Sequence, residues 1–582
     1  MNDRITPKDK AERRLPLYGV EQELASFEAQ RRAELGLPSL DEAQDQWVEE
    51  MANISFARHE RGDVTLLFGG GMTFAHEYLI EGAVSALGYN VMALDTPDYE
   101  ALRVGKEFGN RAQCNPTYFT VGNLVKFLIH LRDQKGMSAE DIVKGYVLVT
   151  VGACGPCRLG MYVTEYRKAL RDAGFDGFRV MFFQQTGGLD QVTGEEAGLD
   201  FNRPFFLAIL KSIVAGDVIN GVGYRLRPYE VDPGATDRAM EAAKRICYDA
   251  LSRGGSILHA LWQVRQEFAK VELDRTRVKP KVSIIGEFWA MTTEGDGNYQ
   301  LQRFLESEGA ECNVQFVTAW LLYTIWEVRY DTASRAELRG ADGGRFGLAD
   351  QGEFGVFSRQ AALWAADLAL RGTFRVFGDL VGFTDYKLPD MDELAAIAHD
   401  HYDNGLRGGE GHMEVGKLIM NVVNQKSTMT VSVKPFGCMP SSGVSDGIQS
   451  LITERYPEAI FCAVETSGDG AVNFQSRVQL YLFKAREAAE QEMQAALDEW
   501  GLSREEVQAY LAEHPRLARF DAIPRHVGTL SAVDLVHAVG RRLKVPAHRR
   551  VIDAVQRAGR NLARQAEPVL NHVPERFRRA FA

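Results

Sequence analysis

The run Asp63-Val-Thr-Leu-Leu-Phe-Gly-Gly-Gly71 shows how this chain folds. A continuous apolar run that ends in glycines is typical of a buried strand followed by a tight turn, and a helical pattern from Phe74 to Leu87 comes next. Segments of the strand type and the helix type then alternate as far as the apolar run at 178–183. This alternation predicts an α/β lobe, in which a parallel sheet is covered by helices.

The same pattern restarts at Lys281-Val-Ser-Ile-Ile-Gly286 and returns in the apolar runs at 429–434 and 459–464. The sequence therefore predicts an α/β protein with two Rossmann-like parallel-sheet lobes. The predicted parts are a helical N-terminal arm (1–60), a first α/β lobe (61–200), a helical connector (201–280), a second α/β lobe with a helical insertion (281–485) and a helical C-terminal extension (486–582).

Composition narrows the classes of function. A net charge of −12 over 582 residues argues against a sequence-independent nucleic-acid binder. The first residues contain no apolar segment of the signal-peptide type, and the apolar stretch near Phe316 to Trp326 is too short to cross a bilayer. We therefore expect a soluble, cytoplasmic protein that binds neither nucleic acid nor membrane.

The end of the chain has the opposite charge. Residues 541–582 contain eleven Lys and Arg against three Asp and Glu. Such a stretch is either a solvated or subunit-packing helical face, or a surface that docks an acidic partner.

Four cysteines lie in turns rich in Gly and Pro: Gln-Cys114-Asn-Pro, Cys154-Gly-Pro-Cys157 and Phe-Gly-Cys438-Met-Pro. Cys154 and Cys157 follow the predicted strand at 146–151, and Cys438 has the equivalent place after a strand of the second lobe. Open α/β sheets build their sites at the carboxyl ends of strands, so we expect these loops to meet in one cleft between the lobes.

The other cysteines have a different setting. Cys247, Cys312 and Cys462 lie in apolar segments, where free cysteine usually acts as a small buried hydrophobic residue. A total of seven cysteines, an odd number, argues against a disulfide framework and favours a reduced chain.

Three chemistries suit the four cysteines in turns. Tetrahedral thiolate ligation fits zinc or an iron–sulfur cluster, and the scatter of the ligands over positions 114–438 favours a cluster at a domain interface. Cys154-Gly-Pro-Cys157 between a strand and a helix is also the thioredoxin-like dithiol arrangement. The preceding Gly-Ala, in place of an aromatic residue, weighs against thioredoxin chemistry.

Two polar residues are candidate catalytic proton donors. Glu287 follows the first strand of the second lobe, and His412 follows a glycine loop that contains Glu410. Either side chain could transfer a proton if it is desolvated. The alternative is that they cap helices or form hydrogen bonds between the lobes.

Taken together, these motifs resemble the 2-hydroxyacyl-CoA dehydratase family, within the superfamily that includes benzoyl-CoA reductases. The similarity rests on the three cysteine turns, on Phe-Gln-Gln-Thr-Gly-Gly-Leu189, and on Ser441-Ser-Gly-Val-Ser-Asp-Gly after Cys438. It covers roughly residues 60–485 and is closest to the dehydratase-like half of the large activase-related proteins. Because the chain contains no Gly-x-x-x-x-Gly-Lys-Ser/Thr loop, an ATP-driven reductase would be a separate protein.

The resemblance implies a 4Fe–4S cluster between the lobes, or a double-cubane cluster, with Cys114, Cys154, Cys157 and Cys438 as its ligands. It also implies an ATP-dependent iron–sulfur activase as partner, an acyl-CoA substrate, lyase or reductase chemistry in anaerobic metabolism, and a homo- or hetero-oligomer. Two other functions stay open: a non-catalytic redox scaffold that carries the cluster for a partner, and a dithiol oxidoreductase that uses Cys154 and Cys157.

Overall fold

The residues of the chain fall into two compact units. The computed structural model describes residues 26–27, 29–31, 33, 56–152, 157–184, 198–338, 344, 346–348, 352–384, 386–406, 411–423, 426–442, 446–522, 526–546 and 548–549. One unit comprises residues 1–60 and 190–199, and the other comprises residues 61–189 and 200–582.

The smaller unit is described only in part. Residues 26–27, 29–31 and 33 are helical, and most of the predicted N-terminal arm lies outside the described residues. The backbone N–H of Gly198 donates a hydrogen bond of 2.6 Å to the carbonyl oxygen of Phe56.

The larger unit contains two four-stranded sheets in which all neighbouring strands are parallel. The strands of the first sheet are β1 (Thr65–Phe68), β2 (Asn90–Ala93), β3 (Tyr146–Gly152) and β4 (Arg179–Gln184), in the order β2-β1-β3-β4. The strands of the second sheet are β5 (Lys281–Gly286), β6 (Glu311–Val314), β7 (Met429–Pro435) and β8 (Phe461–Thr466), in the order β6-β5-β7-β8. The prediction of two Rossmann-like α/β lobes is therefore confirmed.

The two middle strands of the second sheet, β5 and β7, form because their runs are buried on both faces, as in other parallel sheets. Every residue of β7 is buried, and so are five of the six residues of β5. The edge strand β6 was not expected from sequence, since Glu-Cys-Asn-Val is no apolar run. Its Glu311 is tolerated in the interior because the Lys281 ammonium on β5 lies 3.4 Å from its carboxylate.

Helices connect the strands and fill the layer between the lobes. The helices of the first lobe are α1 (Phe74–Ser85), α2 (Tyr99–Phe108), α3 (Asn115–Asp133), α4 (Ala139–Gly145) and α5 (Tyr162–Asp172). The connector contains α6 (Arg203–Leu226), α7 (Ala235–Ser252) and α8 (Ile257–Phe268).

The second lobe and the C-terminal extension continue the series. The helices of the second lobe are α9 (Phe288–Thr292), α10 (Leu301–Ser307), α11 (Val317–Glu337), α12 (Gly352–Val381), α13 (Met391–Ala398), α14 (Gly411–Val423) and α15 (Asp446–Arg455). Helix α16 (Ala471–Trp500) crosses the predicted boundary at residue 485, and the rest of the extension contains α17 (Arg504–Glu513), α18 (Pro515–Ala518) and α19 (Ser531–Lys544). Beyond residue 549 the basic stretch lies outside the described residues.

Among the described residues, one helix is long and apolar enough to be compared with a membrane span, and it contains α6. The segment Arg203–Tyr229 is long and apolar enough to cross a membrane by length and composition alone. However, 67% of its most apolar 18-residue stretch is buried inside the protein. Val214, Val218 and Val222 on α6 pack into one hydrophobic cluster with residues of α7, α8, α11 and α12. Such burial is typical of the core helix of a soluble protein.

Candidate functional site

The loops of Cys114 and Cys438 meet at the carboxyl ends of the two sheets. The backbone N–H of Asn115 donates a hydrogen bond of 2.9 Å to the carbonyl oxygen of Phe436. Gly437 has a φ of +77°, and a Cβ atom at this position would lie 3.1 Å from the Cα of Cys114. Cys114 and Cys438 therefore project from two backbone segments in contact with each other, one from each lobe.

The loop after β3 joins the same place. The Arg158 side chain donates a hydrogen bond from Nε to the carbonyl oxygen of Gly437, at 3.1 Å. Its neighbour Cys157 is partly exposed, while Cys154 lies outside the described residues. Three of the predicted thiol ligands thus come from loops that contact one another.

A helix starts directly after Cys114. Helix α3 begins at Asn115, and Cys114 is its N-cap residue. Pro116 lies in the first turn, where its fixed φ suits a helix and its missing N–H leaves no intrahelical bond unmade. The helix start therefore positions Cys114 directly.

Hydroxyl groups surround the two buried thiols. The sulfur of Cys114 lies 3.0 Å from the Thr117 hydroxyl and 3.2 Å from the Tyr162 hydroxyl. Burial, and next the charge of Cys114, raise the pKa of Tyr162 well above its usual value, so this phenol keeps its proton and can donate to sulfur. In the described part of the chain, no group of three or more His, Cys, Asp or Glu side chains is arranged to hold a metal ion.

Cys438 has a hydrogen-bonded path to a carboxylate. Its thiol donates to the Ser441 hydroxyl at 3.3 Å, and that hydroxyl donates to Oε1 of Glu414 at 3.4 Å. Burial is the main cause that raises the pKa of Cys438, and the charges of Glu287 and Glu414 raise it further. Forming the thiolate here requires a compensating positive charge, which a bound metal would supply.

Glu287 lies at the same edge of the second sheet. It is the N-cap residue of α9, and its carboxylate accepts a hydrogen bond of 2.9 Å from the backbone N–H of Ala290. Burial raises the pKa of Glu287 to about 7, and the charge of Glu414 also raises it. A carboxyl group with such a pKa can gain or lose a proton near neutral pH.

Glu414 was not singled out from the sequence. It lies in the first turn of α14, just after the Gly-rich segment that drew attention to His412. Lys434, near the end of β7, is also buried; burial lowers its pKa, whereas the charges of Glu414 and Cys438 raise it. The second lobe therefore brings two carboxylates and one ammonium group close to Cys438.

His412 faces a different environment. Its ring centroid lies 4.5 Å from that of Trp326 and 4.8 Å from that of Tyr323. Burial lowers its pKa to about 3, and in the described part of the chain its Nε2 atom has no hydrogen-bond partner. Positions 412 and 414 are about 200° apart around a helix, so they face nearly opposite sides of α14.

No hydrogen bond, ion pair or ring contact among the described residues joins His412 to Glu287 or Cys438. Its role as a proton donor stays a prediction. Glu410, in the same glycine loop, lies outside the described residues.

The expectation for the other cysteines is confirmed. Cys247 and Cys462 are fully buried, and Cys312 is 3% exposed. They belong to hydrophobic clusters of the connector helices and of the second sheet.

A buried Thr–His–Asp arrangement lies next to α6. Thr73 Oγ1 is 2.8 Å from His76 Nδ1, and His76 Nε2 is 2.9 Å from the carboxylate of Asp217. All three residues are at most 3% exposed, and Asp217 also accepts hydrogen bonds from the backbone N–H groups of Val317 and Thr318. A substrate cannot reach such a hydroxyl, so this network serves to join α1, α6 and α11.

The glycine turn after β1 holds a second buried carboxyl group at the lobe interface. Glu77 Oε1 accepts hydrogen bonds from the backbone N–H groups of Gly71 (2.9 Å) and Met72 (3.0 Å), while Oε2 has no partner in the described part of the chain. From the other lobe, the indole N–H of Trp289 donates to the Gly70 carbonyl oxygen at 2.6 Å. The turn thus binds both a carboxyl group and the second lobe.

Glu77 should make stability depend on pH. Burial raises its pKa from 4.5 to about 7, so the folded chain holds this proton more tightly than the unfolded chain does. The resulting stabilisation is complete below pH 4.5 and is lost as pH rises through 7. Between pH 6 and pH 8.5 we expect the unfolding free energy to fall by about 1.4 kcal/mol through this group.

The variant Glu77→Gln keeps the acceptor oxygen and cannot ionise. Between pH 6 and pH 8.5 its unfolding free energy should therefore fall by about 1.4 kcal/mol less than that of wild type. Urea unfolding at pH 6 and pH 8.5 measures the difference. Glu140→Gln, which changes an exposed carboxylate, should retain the wild-type pH dependence. Equal pH dependence in wild type and Glu77→Gln would contradict the assignment.

No protein-family model matches this chain, and no curated protein matches it either.

Proposed function

We propose that this chain is an iron–sulfur enzyme of the 2-hydroxyacyl-CoA dehydratase type, which receives low-potential electrons from a separate ATP-dependent activase. The observation that carries the proposal is the meeting of three cysteine loops, two from the first lobe and one from the second, at the carboxyl ends of both sheets. Thiolates on irregular backbone around one point are the usual ligands of such clusters.

Under this proposal Cys114, Cys157 and Cys438 hold the cluster together with Cys154. A bound 4Fe–4S cluster supplies one-electron transfer. With all four thiolates as ligands, the substrate would not bind to iron. The chain itself would then have to bind the substrate and move its protons.

Two carboxyl groups favour an enzyme over a non-catalytic redox scaffold. Glu287 has a pKa of about 7, and Glu414 accepts a hydrogen bond from Ser441 beside Cys438. A scaffold needs no proton donor near its cluster, whereas expulsion of a hydroxyl group or reduction of a carbonyl does. We assign Glu287 to proton transfer, with Glu414 as the neighbouring charge that raises its pKa.

The dithiol function has less support. Thioredoxin-like chemistry depends on a helix N-terminus that stabilises the reactive thiolate. The segment after Cys157 is a short 3₁₀ turn, Arg158–Met161, and α5 begins only at Tyr162. That turn runs directly into α5, so a helix N-terminus is present; what weighs against this function is the Gly-Ala before Cys154 in place of an aromatic residue.

The substrate and setting follow from the resemblance alone. We propose an acyl-CoA thioester as substrate, a cytoplasmic location, and assembly into a homo- or hetero-oligomer. A double-cubane cluster is the alternative cofactor.

Iron content tests the proposal first. Protein isolated without oxygen should contain about four irons and four sulfides per chain. Elemental analysis and EPR of the reduced protein measure this. Stoichiometric zinc without sulfide would overturn the proposal, and about eight irons would favour the double-cubane alternative.

ATP dependence tests the electron supply. Transfer of a low-potential electron needs an energy source, and this chain has no Gly-x-x-x-x-Gly-Lys-Ser/Thr loop to bind ATP. Reduction of the cluster by a separate reduced activase should therefore require ATP. EPR of the mixture with and without ATP follows the reaction. Equal reduction without ATP would refute the coupling. If the basic stretch from Arg541 steers the partner, reduction should slow as salt rises.

A further inference from the structure

The sulfur of Cys114 lies between two hydroxyl groups that are not themselves proposed ligands. Thr117 Oγ1 is 3.0 Å from the sulfur, and Tyr162 Oη is 3.2 Å from it. The two hydroxyl groups also interact with each other. The three side chains therefore form a triangle with the sulfur at one corner and a hydroxyl group at each of the other two.

The starts of two helices bring these groups together. Cys114 is the N-cap residue of α3 and Thr117 is the third residue of that helix, a spacing at which the two side chains are neighbours. Tyr162 is the first residue of α5, directly after the turn that follows Cys157. Cys114, Tyr162 and apolar residues of both helices belong to one hydrophobic cluster, so the phenol reaches the sulfur from the facing helix.

The triangle is closed to solvent. Cys114 is 6% exposed, Tyr162 is 7% exposed and Thr117 is 2% exposed. In such surroundings a hydrogen bond is electrostatically stronger than the same bond in water. In the described part of the chain, the sulfur accepts no capping hydrogen bond from the backbone of α3. The two hydroxyl groups are therefore the donors that the described residues offer to this sulfur.

The sulfur of Cys438 has unlike surroundings. The Ser441 hydroxyl beside it donates to Glu414, so its proton points away from the sulfur. The charges of Glu287 and Glu414 act against a negative sulfur there. The first lobe thus offers hydrogen-bond donors to its buried cysteine, while the second lobe offers carboxylates.

We propose that Tyr162 and Thr117 set the reduction potential of the cluster by donating hydrogen bonds to the Cys114 sulfur. This inference rests on the proposed function, in which Cys114 is a cluster ligand. A ligating thiolate has no proton, so it can only accept hydrogen bonds from the two hydroxyl groups. Both residues act through Cys114 and are positioning residues, not catalytic ones.

The direction of the effect follows from charge. Reduction adds one electron from the activase and breaks no bond, and part of the added negative charge resides on the sulfurs. Hydrogen bonds to a sulfur therefore stabilise the reduced form more than the oxidised form. The two hydroxyl groups should raise the potential and so make the cluster easier to reduce.

A potentiometric titration of the full-length protein, isolated without oxygen and followed by EPR, tests this inference. We expect Tyr162→Phe to contain as much iron as wild type and to show an about tenfold smaller equilibrium constant for reduction, a shift of about 59 mV to more negative potential for one electron. Thr117→Val should shift the potential in the same direction. Thr117→Ser keeps the hydroxyl group and should retain the wild-type potential.

The matched control is Tyr166→Phe. Tyr166 lies one turn further along α5 and is 3% exposed, but its hydroxyl group interacts with Thr120 instead of a sulfur. This variant should have the wild-type potential. An equal shift in Tyr166→Phe and Tyr162→Phe would assign the effect to packing of α5 and would overturn the inference.

The remaining outcomes separate this inference from the proposed function. An unchanged or more positive potential in both Tyr162→Phe and Thr117→Val, at full iron content, would overturn the inference and leave the proposed function standing. Loss of iron from both variants would also overturn it, because the hydroxyl groups would then hold the ligand in place without tuning it. Absence of iron from wild type would refute the proposed function and this inference together.

Discussion

Replacing Cys438 with serine should remove the cluster from this protein. The other predicted ligands, Cys114, Cys154 and Cys157, belong to the first lobe, so Cys438 is the second lobe's only contribution. We expect iron to fall from about four to less than one per chain, because the remaining thiolates leave one corner of the cluster unligated. The melting temperature should fall as well, since ligation stabilises the folded state.

The matched control is Cys247→Ser. Cys247 is fully buried in the hydrophobic cluster of the connector helices. A buried hydroxyl group there should cost about 1–3 kcal/mol of stability while leaving the iron content unchanged. Four irons per chain in Cys438→Ser would contradict the proposed ligand set, whatever happened to stability.

Replacing Gly286 with alanine should prevent the second lobe from folding. Gly286 ends β5 with a φ of +133°, a conformation essentially restricted to glycine. An added Cβ atom would lie 2.0 Å from the carbonyl oxygen of Val433, the residue paired with Gly286 on β7. The next residue is Glu287, whose backbone N–H donates to that same oxygen at 3.1 Å.

Strands β5 and β7 must therefore separate, and we expect a loss of at least about 4 kcal/mol or failure to accumulate as soluble protein. Gly254→Ala is the matched control, because Gly254 has a φ of +65° with no atom within 4 Å of the added carbon. It should cost about 1 kcal/mol from backbone conformation alone. A Gly286→Ala protein with the wild-type melting temperature would show that this turn can relax.

The two sheets could be predicted because their signal is local. Runs such as Val-Thr-Leu-Leu-Phe and Lys-Val-Ser-Ile-Ile-Gly combine apolar residues with glycine at the strand end, and both faces of a parallel strand need that composition. β6 was missed because its sequence, Glu-Cys-Asn-Val, lacks this local signal. Its Glu311 belongs to the interior only because Lys281 of the neighbouring strand lies beside it.

Some residues of the candidate site could likewise be recognised from local sequence, and others could not. The cysteine turns were recognisable from the sequence, since Gly and Pro next to Cys mark irregular backbone at strand ends. Glu414 and Tyr162 were missed, because each lies in a helix at ordinary spacing and matters only through what it faces. Hydrogen bonds of Glu414 to Ser441, and of Tyr162 to Cys114, join residues 27 and 48 positions apart.

By itself, the amino-acid sequence determined the class of fold, the repetition of the lobe and the edge of the sheets at which the cysteines lie. These properties depend on composition and periodicity within a few residues. Only the tertiary structure decided which polar groups lie beside the thiols and that His412 packs against aromatic rings. Burial and charge pairing set those outcomes, and both depend on residues distant in the chain.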